Sequence, residues 1–530
     1  MKSIKVLDVT LRDGGCVNNF DFGETYMKKI LDQLEQSGVD FIELGYIDEK
    51  NGTPRGRTQF CNEQVISQYF LKKKKPGVTY VAMMDYGKFD VEQLQPRTPD
   101  GIDGIRVAFH KKNRLDVIEV GRKIIEKGYQ FYIQPMITMR YSDSELLELI
   151  DLVNKKLPDA SGFYIVDSFG EMRSNDLTRI LNLVDHNLLP DMTIGFHSHN
   201  NLQLSYANAM ALLQFPCARN LMLDSSVMGM GKGAGNLNTE LLVEHLNLYY
   251  GKRYQVAPLL ALIDQVICVI HQEFYWGYSA EYYLSSINHC TPSYAGHFYN
   301  KHMLPIDQVA ELLGMVAEDK KISFDKQYAE ELYQQYNMSK SYRDDITLEK
   351  LKEKIQGKKV LLVAPGKSII EAKSAIEGVL DIKEIVSISL NNFAFQTDYV
   401  LTTRIDSFRS AKEQKRQVIA PSNITNETEE NVYIIDYKKW IVVKGGTQDS
   451  SGVMALNLLC ELGAKQILMA GFDGFSVDIN ENYFDKSMRH TVSGREAEGK
   501  NTFFSNFIQE MKKKIDICFL TPTRYDVSGK

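Results

Sequence analysis

The sequence is poor in cysteine and has no CxxC pair: Cys16, Cys61, Cys217, Cys268, Cys290, Cys460 and Cys518 lie far apart in 530 residues. An odd number of scattered thiols, most of them in apolar runs, excludes a disulfide framework and a zinc knuckle and points to reduced core thiols. No uninterrupted apolar stretch reaches the roughly 18 residues that a membrane span requires, so no span is expected. The opening "MKSIKVLDVT" reads as a strand and lacks the basic, apolar and small-residue order of a secretory signal, so a cytoplasmic location is expected. Positive charge is not in excess: 62 Lys and Arg stand against 68 Asp and Glu, a net of −6. That balance argues against a nucleic-acid partner. The lysine run Lys72–Lys75, just before Pro76 and Gly77, reads as a solvated helix end.

A chain of 530 residues exceeds one core, and about two to four domains are expected. Its 44% hydrophobic and 25% charged residues are ordinary for a globular protein. Residues 1–250 alternate short apolar runs with amphipathic helical stretches. The runs are "IKVLDVT", "FIELGY", "VTYVAMM", "GIRVAFH", "QFYIQPMI", "GFYIVDS", "TIGFHSH" and "LMLDSSV". Strands alternating with helices form right-handed βαβ units and a parallel sheet. Eight repeats in about 250 residues predict a TIM barrel, with a doubly wound open sheet as the competitor.

The runs turn polar where they end. Arg12 and Asp13 follow the first, Glu43 lies in the second, Asp85 follows the third and His110 ends the fourth. Gln134 lies in the fifth, Asp167 and Ser168 end the sixth, His197 and His199 the seventh, Asp224 and Ser225 the eighth. Active sites of such barrels sit at the C-terminal strand ends. Polar groups gathered there cost stability unless they pair or bind something.

"GFHSHNN" places His197 and His199 two apart, so on a strand both imidazoles face one side. Neutral imidazole ligates divalent transition metals, and a carboxylate shifts the preference toward Mn²⁺, Mg²⁺ or Co²⁺. Asp13 can supply that carboxylate, because the first and seventh strands of a closed eight-stranded barrel are only two apart. "DVTLRDGG", "GFHSHNNLQLSYANA" and "DSSVMGMGKGAGNLNTE" together resemble the DRE-TIM metallolyases, over about residues 1–300. "LRDG" and "YIVDSFGEM" are nearer the 4-hydroxy-2-oxo-acid aldolase branch than the acyl-CoA synthases, which carry "LRDGEQ". The resemblance implies Asp13, His197 and His199 as metal ligands, Asn236 as a ligand or support, and Arg12 as the stabiliser of an enolate. It implies a tight loop over the metal, allowed by Gly229, Gly231, Gly233 and Gly235. The aldolases carry a histidine three residues after the motif aspartate, and this chain has Cys16. His110, a metal-bound water, and Tyr294 in "TPSYAG" are candidates for the missing proton-handling role.

Residues 251–355 read as a helical appendage and linker. "WGYSAEYYLSSINHCTPSYA" resembles the helical domain that contacts a partner dehydrogenase in these aldolases. No such partner is implied here, because a second α/β domain is fused instead. Residues 356–530 repeat strand, turn and helix signals and predict a smaller Rossmann-like domain. "VLLVAPGKS" is not a P-loop, since Leu361 stands where the first glycine is required. It is a strand–glycine–helix turn that could cradle a phosphate, or a turn with only a structural need for glycine. The region resembles sialyltransferase-like and hydroxymethylpterin pyrophosphokinase-like nucleotide-binding domains. Gly366, Ser368 and Asp473 are the candidate nucleotide-binding residues, with Asp406, Ser450 and His490 as further polar candidates.

The expected protein is therefore an enzyme: a divalent-metal aldolase acting on a 2-oxo acid and an aldehyde. It is fused to a domain for a nucleotide or nucleotide-sugar, in surface-glycan assembly, and a homo-oligomer is expected. Two alternatives stay open: acyl-CoA-dependent Claisen condensation, against which the short "RDGG" argues, and a non-catalytic barrel that scaffolds the second domain.

Overall fold

Eight strands of the N-terminal half are buried on both faces, which is why their sequences read as continuous apolar runs rather than alternating ones. In the computed structural model, which describes residues 3–50, 52, 55–301, 304–340, 342–425, 429–442, 450–485, 488 and 494–525, they close into a parallel barrel. They are β1 (Ile4–Asp8), β2 (Phe41–Ile47), β3 (Thr79–Asp85), β4 (Gly104–Phe109), β5 (Gln130–Pro135), β6 (Gly162–Asp167), β7 (Thr193–Ser198) and β8 (Leu221–Ser225). β1 pairs with β8, Leu7 opposite Asp224, and also with β2, Leu7 opposite Phe41, which completes the ring. The open-sheet alternative is thereby excluded. A two-residue strand, Gln59–Phe60, adds to β2 outside the ring.

Side chains of Leu7, Val9, Phe41, Val81, Tyr132, Tyr164, Val166 and Met222 form one cluster inside the barrel. Gly195 makes room for it: a Cβ there would stand 2.4 Å from the Tyr164 ring. A larger apolar layer lies between the strands and the surrounding helices. The helix Gly23–Ser37 shows the cause, burying Met27, Ile30, Leu31 and Leu34 at helical spacing and stopping at Gly38.

Val256–Glu273 is long and apolar enough to cross a membrane by length and composition, although Asp264 and Gln265 interrupt its apolar run. Its Leu259, Leu262, Val266, Ile267 and Ile270 join the apolar layer of the barrel.

The expected single appendage over 251–355 is divided. The chain forms two compact units, Met1–Ala295 with Val316–Phe324, and Gly296–Met315 with Asp325–Lys530. The helix Ala280–Ile287 belongs to the first, where Ser286 Oγ donates to the Phe169 carbonyl at 2.6 Å. The helix Lys326–Ser339 belongs to the second, where Tyr333 packs edge-on to Tyr437.

The second unit contains a seven-stranded parallel sheet. Its strands are β9 (Lys359–Val363), β10 (Ile385–Leu390), β11 (Tyr399–Leu401), β12 (Val418–Pro421), β13 (Val432–Ile435), β14 (Gln466–Ala470) and β15 (Asp516–Phe519). The spatial order is β13-β12-β11-β10-β9-β14-β15. The direction of winding therefore reverses between β9 and β14.

Candidate metal centre and active-site cavity

After β1 the chain turns sharply. Asp8 caps the turn, accepting from Thr10 N–H at 2.9 Å and from Thr239 Oγ1 at 2.7 Å. Burial pushes its carboxyl up to about 6 against the pull of these donors. The N–H groups of Arg12 and Asp13 both donate to the Val9 carbonyl, at 3.0 and 2.8 Å. The first strand thus ends two residues earlier than the apolar run, and a turn carries Arg12 and Asp13 to the mouth, both buried.

His197 lies in β7 and His199 just beyond it, with their rings perpendicular and 5.2 Å apart. A backbone bridge joins His199 to Asn236. One donor atom from each of Asp13, His197 and His199 lies within 4.8 Å of the others, and all three residues are buried. Asn236 Nδ2 donates to Asp13 Oδ2 at 2.8 Å and to the Met230 carbonyl at 3.2 Å. Asn236 Oδ1 and His199 Nδ1, both buried, have no hydrogen-bond partner among the described residues. Each such orphan costs about 1–3 kcal/mol unless something binds it. A donor set of two imidazoles, a carboxylate and an unused amide oxygen therefore fits a divalent cation.

Arg12 links the site to the barrel interior. Its Nη1 donates to Asp13 Oδ1 at 2.7 Å and its Nε to Glu43 Oε2 at 2.6 Å. Glu43 Oε1 lies 2.9 Å from Nη1 of Arg106, whose Nη2 meets Asp224, and Asp224 accepts from His197 Nδ1 at 2.9 Å. Gln134 sets its amide 2.8 Å from Arg106 Nε and Nη2, an arrangement in which the amide oxygen accepts. The Arg106 guanidinium also lies 4.6 Å over the Tyr164 ring. Burial raises the Asp13 carboxyl, but Arg12 and the two histidines outweigh it and hold Asp13 well below the usual range. Burial lowers His199 to about 4, so its imidazole is neutral and able to ligate.

The site opens into a cavity of about 460 Å³ lined by Arg12, Asp13, Tyr46, Asp85, His197 and His199, among others. That volume suits a small molecule. His110 lines it too, its pKa lowered by burial and then by Lys112. Cys16 opens into it, with its thiol pushed up to about 12 by desolvation and then by Asp13. Tyr294 does not line it. That residue is fully buried, its hydroxyl 3.5 Å from the Ser323 carbonyl and its ring edge-on to Phe324, while Thr291 and Ser293 face the cavity instead.

Residues 107–259 match the HMGL-like family profile. 4-hydroxy-2-oxovalerate aldolase 2 of Comamonas testosteroni is 30% identical over 245 residues, covering 46% of this chain and 68% of that relative. The chain belongs to the HMGL-like family. 4-hydroxy-2-oxovalerate aldolase of Geobacillus genomosp. 3 is 29% identical over 248 residues, covering 46% of this chain and 71% of the relative. Hydroxymethylglutaryl-CoA lyase of Pseudomonas aeruginosa is a solved structure 16% identical to this chain, with a TM-score of 0.42, covering 51% of this chain and 93% of that one.

In the HMGL-like barrel, Arg106, Tyr46 and Lys232 join the site without having been expected there. Arg106 had a signal, a charge in the middle of the apolar run "GIRVAFH". Tyr46 and Lys232 are known as cavity residues only from the closed barrel.

In the second unit Ser368 and Asp473 of the candidate trio are joined by hydrogen bonds, and Gly366 and Asp473 line a cavity. Asp473 accepts from both the backbone N–H and the hydroxyl of Ser368, so a carboxylate of the chain already holds the donors of that turn. Gly366 is required for space, since a Cβ would stand 2.3 Å from the Gly471 carbonyl oxygen. Asp406 is engaged as well, by Arg404, at 2.6 Å. Ser450 caps the helix Ser451–Glu461, accepting from Val453 N–H at 3.3 Å. His490 lies outside the described residues. A cavity of about 290 Å³ does open beyond the C-terminal ends of β9, β10 and β14, between Gly366, Asn391, Arg404, Asn423 and Phe472.

Proposed function

We propose that the HMGL-like barrel is a divalent-metal-dependent aldolase that forms or cleaves a 2-oxo acid from pyruvate enolate and an aldehyde. The observation that carries this reading is the buried trio Asp13, His197 and His199 beside Arg12, whose Nη2 has no hydrogen-bond partner among the described residues. The aldolase names of the relatives support the substrate class. Asp13, His197 and His199 would hold the ion, with Asn236 Oδ1 as a further donor, and this set suits Mn²⁺, Mg²⁺ or Co²⁺. When bound, the ion supplies Lewis-acid polarisation of the keto oxygen. Arg12 places a fixed positive charge where the enolate oxygen develops. Although burial opposes its charge, Glu43 and Asp13 hold its guanidinium firmly protonated.

The test is metal-loaded protein with pyruvate in D₂O, followed by NMR of the methyl group. Exchange of the methyl protons is expected, and Asp13→Asn should stop it. Absence of exchange with pyruvate and other 2-oxo acids would overturn the reading in favour of a scaffolding barrel.

For the second unit we propose a nucleotide or nucleotide-sugar as ligand, bound in the cavity beyond β9 and β14. Open α/β sheets bind ligands where the winding direction reverses, and this cavity lies there. Asn423 supports the reading: it is buried at the cavity wall, and its Oδ1 has no hydrogen-bond partner among the described residues. Phe504 and Tyr525, stacked 5.4 Å apart on the same wall, suit a ligand with a flat ring. A thermal-shift panel of nucleotides on the full chain checks this, and no shift with any of them would overturn it.

A further inference from the structure

We infer that Asp85 takes the hydroxyl proton of a 4-hydroxy-2-oxo acid as its C3–C4 bond breaks, an inference that rests on the aldolase reading above. Such a cleavage needs a base at the hydroxyl. Cys16 is poorly suited to the role, because desolvation and then Asp13 raise its pKa and favour the protonated thiol. Asp85 ends β3 and shares the cavity wall with Arg12, Tyr46 and Cys16. It stands near enough to Cys16 and Tyr46 for its charge to help raise both of their pKa values. His110, the other candidate, follows β4, one strand further around the ring from β1, which Arg12 follows.

What separates Asp85 from the other acids of the site is its freedom. Asp13, Glu43 and Asp224 are each bound to arginine or histidine. Among the described residues no hydrogen bond or ion pair engages the Asp85 carboxyl. Its surroundings are mixed: burial raises its pKa, Arg12, Lys88 and Lys232 act to lower it, and Asp48 acts to raise it. Burial prevails, which strengthens the group as a base.

The step balances within the substrate and the carboxylate. The hydroxyl proton passes to an Asp85 oxygen, and the O–H electron pair becomes the second bond of the aldehyde carbonyl. The C3–C4 pair becomes the C2–C3 double bond of the enolate, whose oxygen carries its charge beside Arg12. C3 then takes a proton from water to give pyruvate, and Asp85 returns its proton to solvent.

The test uses full-length, metal-loaded wild type, Asp85→Asn and Asp85→Glu, with two readouts. One is methyl exchange of pyruvate in D₂O, which does not involve the hydroxyl. The other is aldehyde release from 4-hydroxy-2-oxovalerate. Asp85→Asn should lose about 10²- to 10⁴-fold in cleavage while exchange stays within about threefold of wild type, and Asp85→Glu should recover part of the cleavage. Cleavage by Asp85→Asn at the wild-type rate would overturn the proposal, and so would exchange falling in step with cleavage. A wild type that shows no exchange would remove the aldolase reading itself. A wild type that exchanges, beside an unimpaired Asp85→Asn, would remove this proposal alone.

Discussion

Asp224 holds Arg106 and His197 on the same carboxylate oxygen, Oδ2, and so ties a charge enclosed in the barrel to a candidate metal ligand. Because His197 donates through Nδ1, its Nε2 lone pair is left for a cation, and the ring cannot turn away from it. Burial alone would raise the Asp224 carboxyl, but Arg106 and His197 keep it ionised.

Asp224→Asn should therefore weaken metal binding by about 10- to 100-fold, the usual cost of losing a carboxylate behind a metal-ligating histidine. Calorimetric titration with Mn²⁺ or Co²⁺ measures this directly. Affinity equal to wild type would show that His197 does not rely on Asp224.

Arg106→Met tests the interior half of the same chain of charges. It leaves Glu43 and Asp224 as fully buried carboxylates without their shared cation. Removing one partner of a buried pair costs about 3–5 kcal/mol. Urea unfolding of the barrel should show a loss of that size. A loss under about 1 kcal/mol would mean that water or a rearranged side chain replaces the guanidinium.

Asp8 carries a pH prediction. Its carboxyl stands at about 6 in the fold, against roughly 3.9 in the unfolded chain. The folded state holds the proton more tightly, so stability is greatest below pH 4 from this group and falls as pH rises through about 4 to 6. The full difference is about 3 kcal/mol. Asp8→Asn removes the titration, so the variant should gain on wild type across that window when the melting temperature is followed against pH. Asp13, held low, acts in the opposite sense and only as pH falls below the ordinary carboxylate range. A variant that tracks wild type at every pH would exclude the assignment.

The barrel was legible because each strand is buried on both faces, so burial wrote itself as uninterrupted apolar residues. β15 was not, because two of its four residues are exposed and only one is buried, so it carries no such pattern. The trio Asp13, His197 and His199 could be read because strand periodicity puts alternate residues on one side, and ring closure brings distant strands together. The chain through Glu43, Arg106 and Asp224 could not: Arg106 stands out as a charge inside an apolar run, but no spacing in the sequence pairs it with Glu43 and Asp224. Tyr294 lies off the cavity wall because its ring packs against Phe324 and its hydroxyl faces the Ser323 carbonyl, contacts that the sequence does not show. Gly366 was ambiguous for a similar reason: the carbonyl that demands glycine there comes from Gly471, more than a hundred residues later.

Gly231 separates space from conformational freedom in the loop after β8. Its backbone is one that other residues can adopt, yet a Cβ would stand 2.4 Å from Asn236 Nδ2 and 2.7 Å from Asp13 Oδ2. Neither can yield without disturbing the other, since Asn236 donates to that same Asp13 oxygen. Gly231→Ala should therefore lower metal affinity about tenfold or more while the barrel stays folded, because the displaced groups are those of the site and not of the apolar layer. Gly378→Ala is the matched control. It lies in the helix Lys373–Leu380 with nothing within 4 Å of the added methyl, and alanine there should stabilise the helix by up to about 1 kcal/mol. Calorimetric titration of both variants with Mn²⁺ decides the matter. Equal affinities would show that Asp13 and Asn236 can move without loss, and that the bond between them does not hold the ligand set in place.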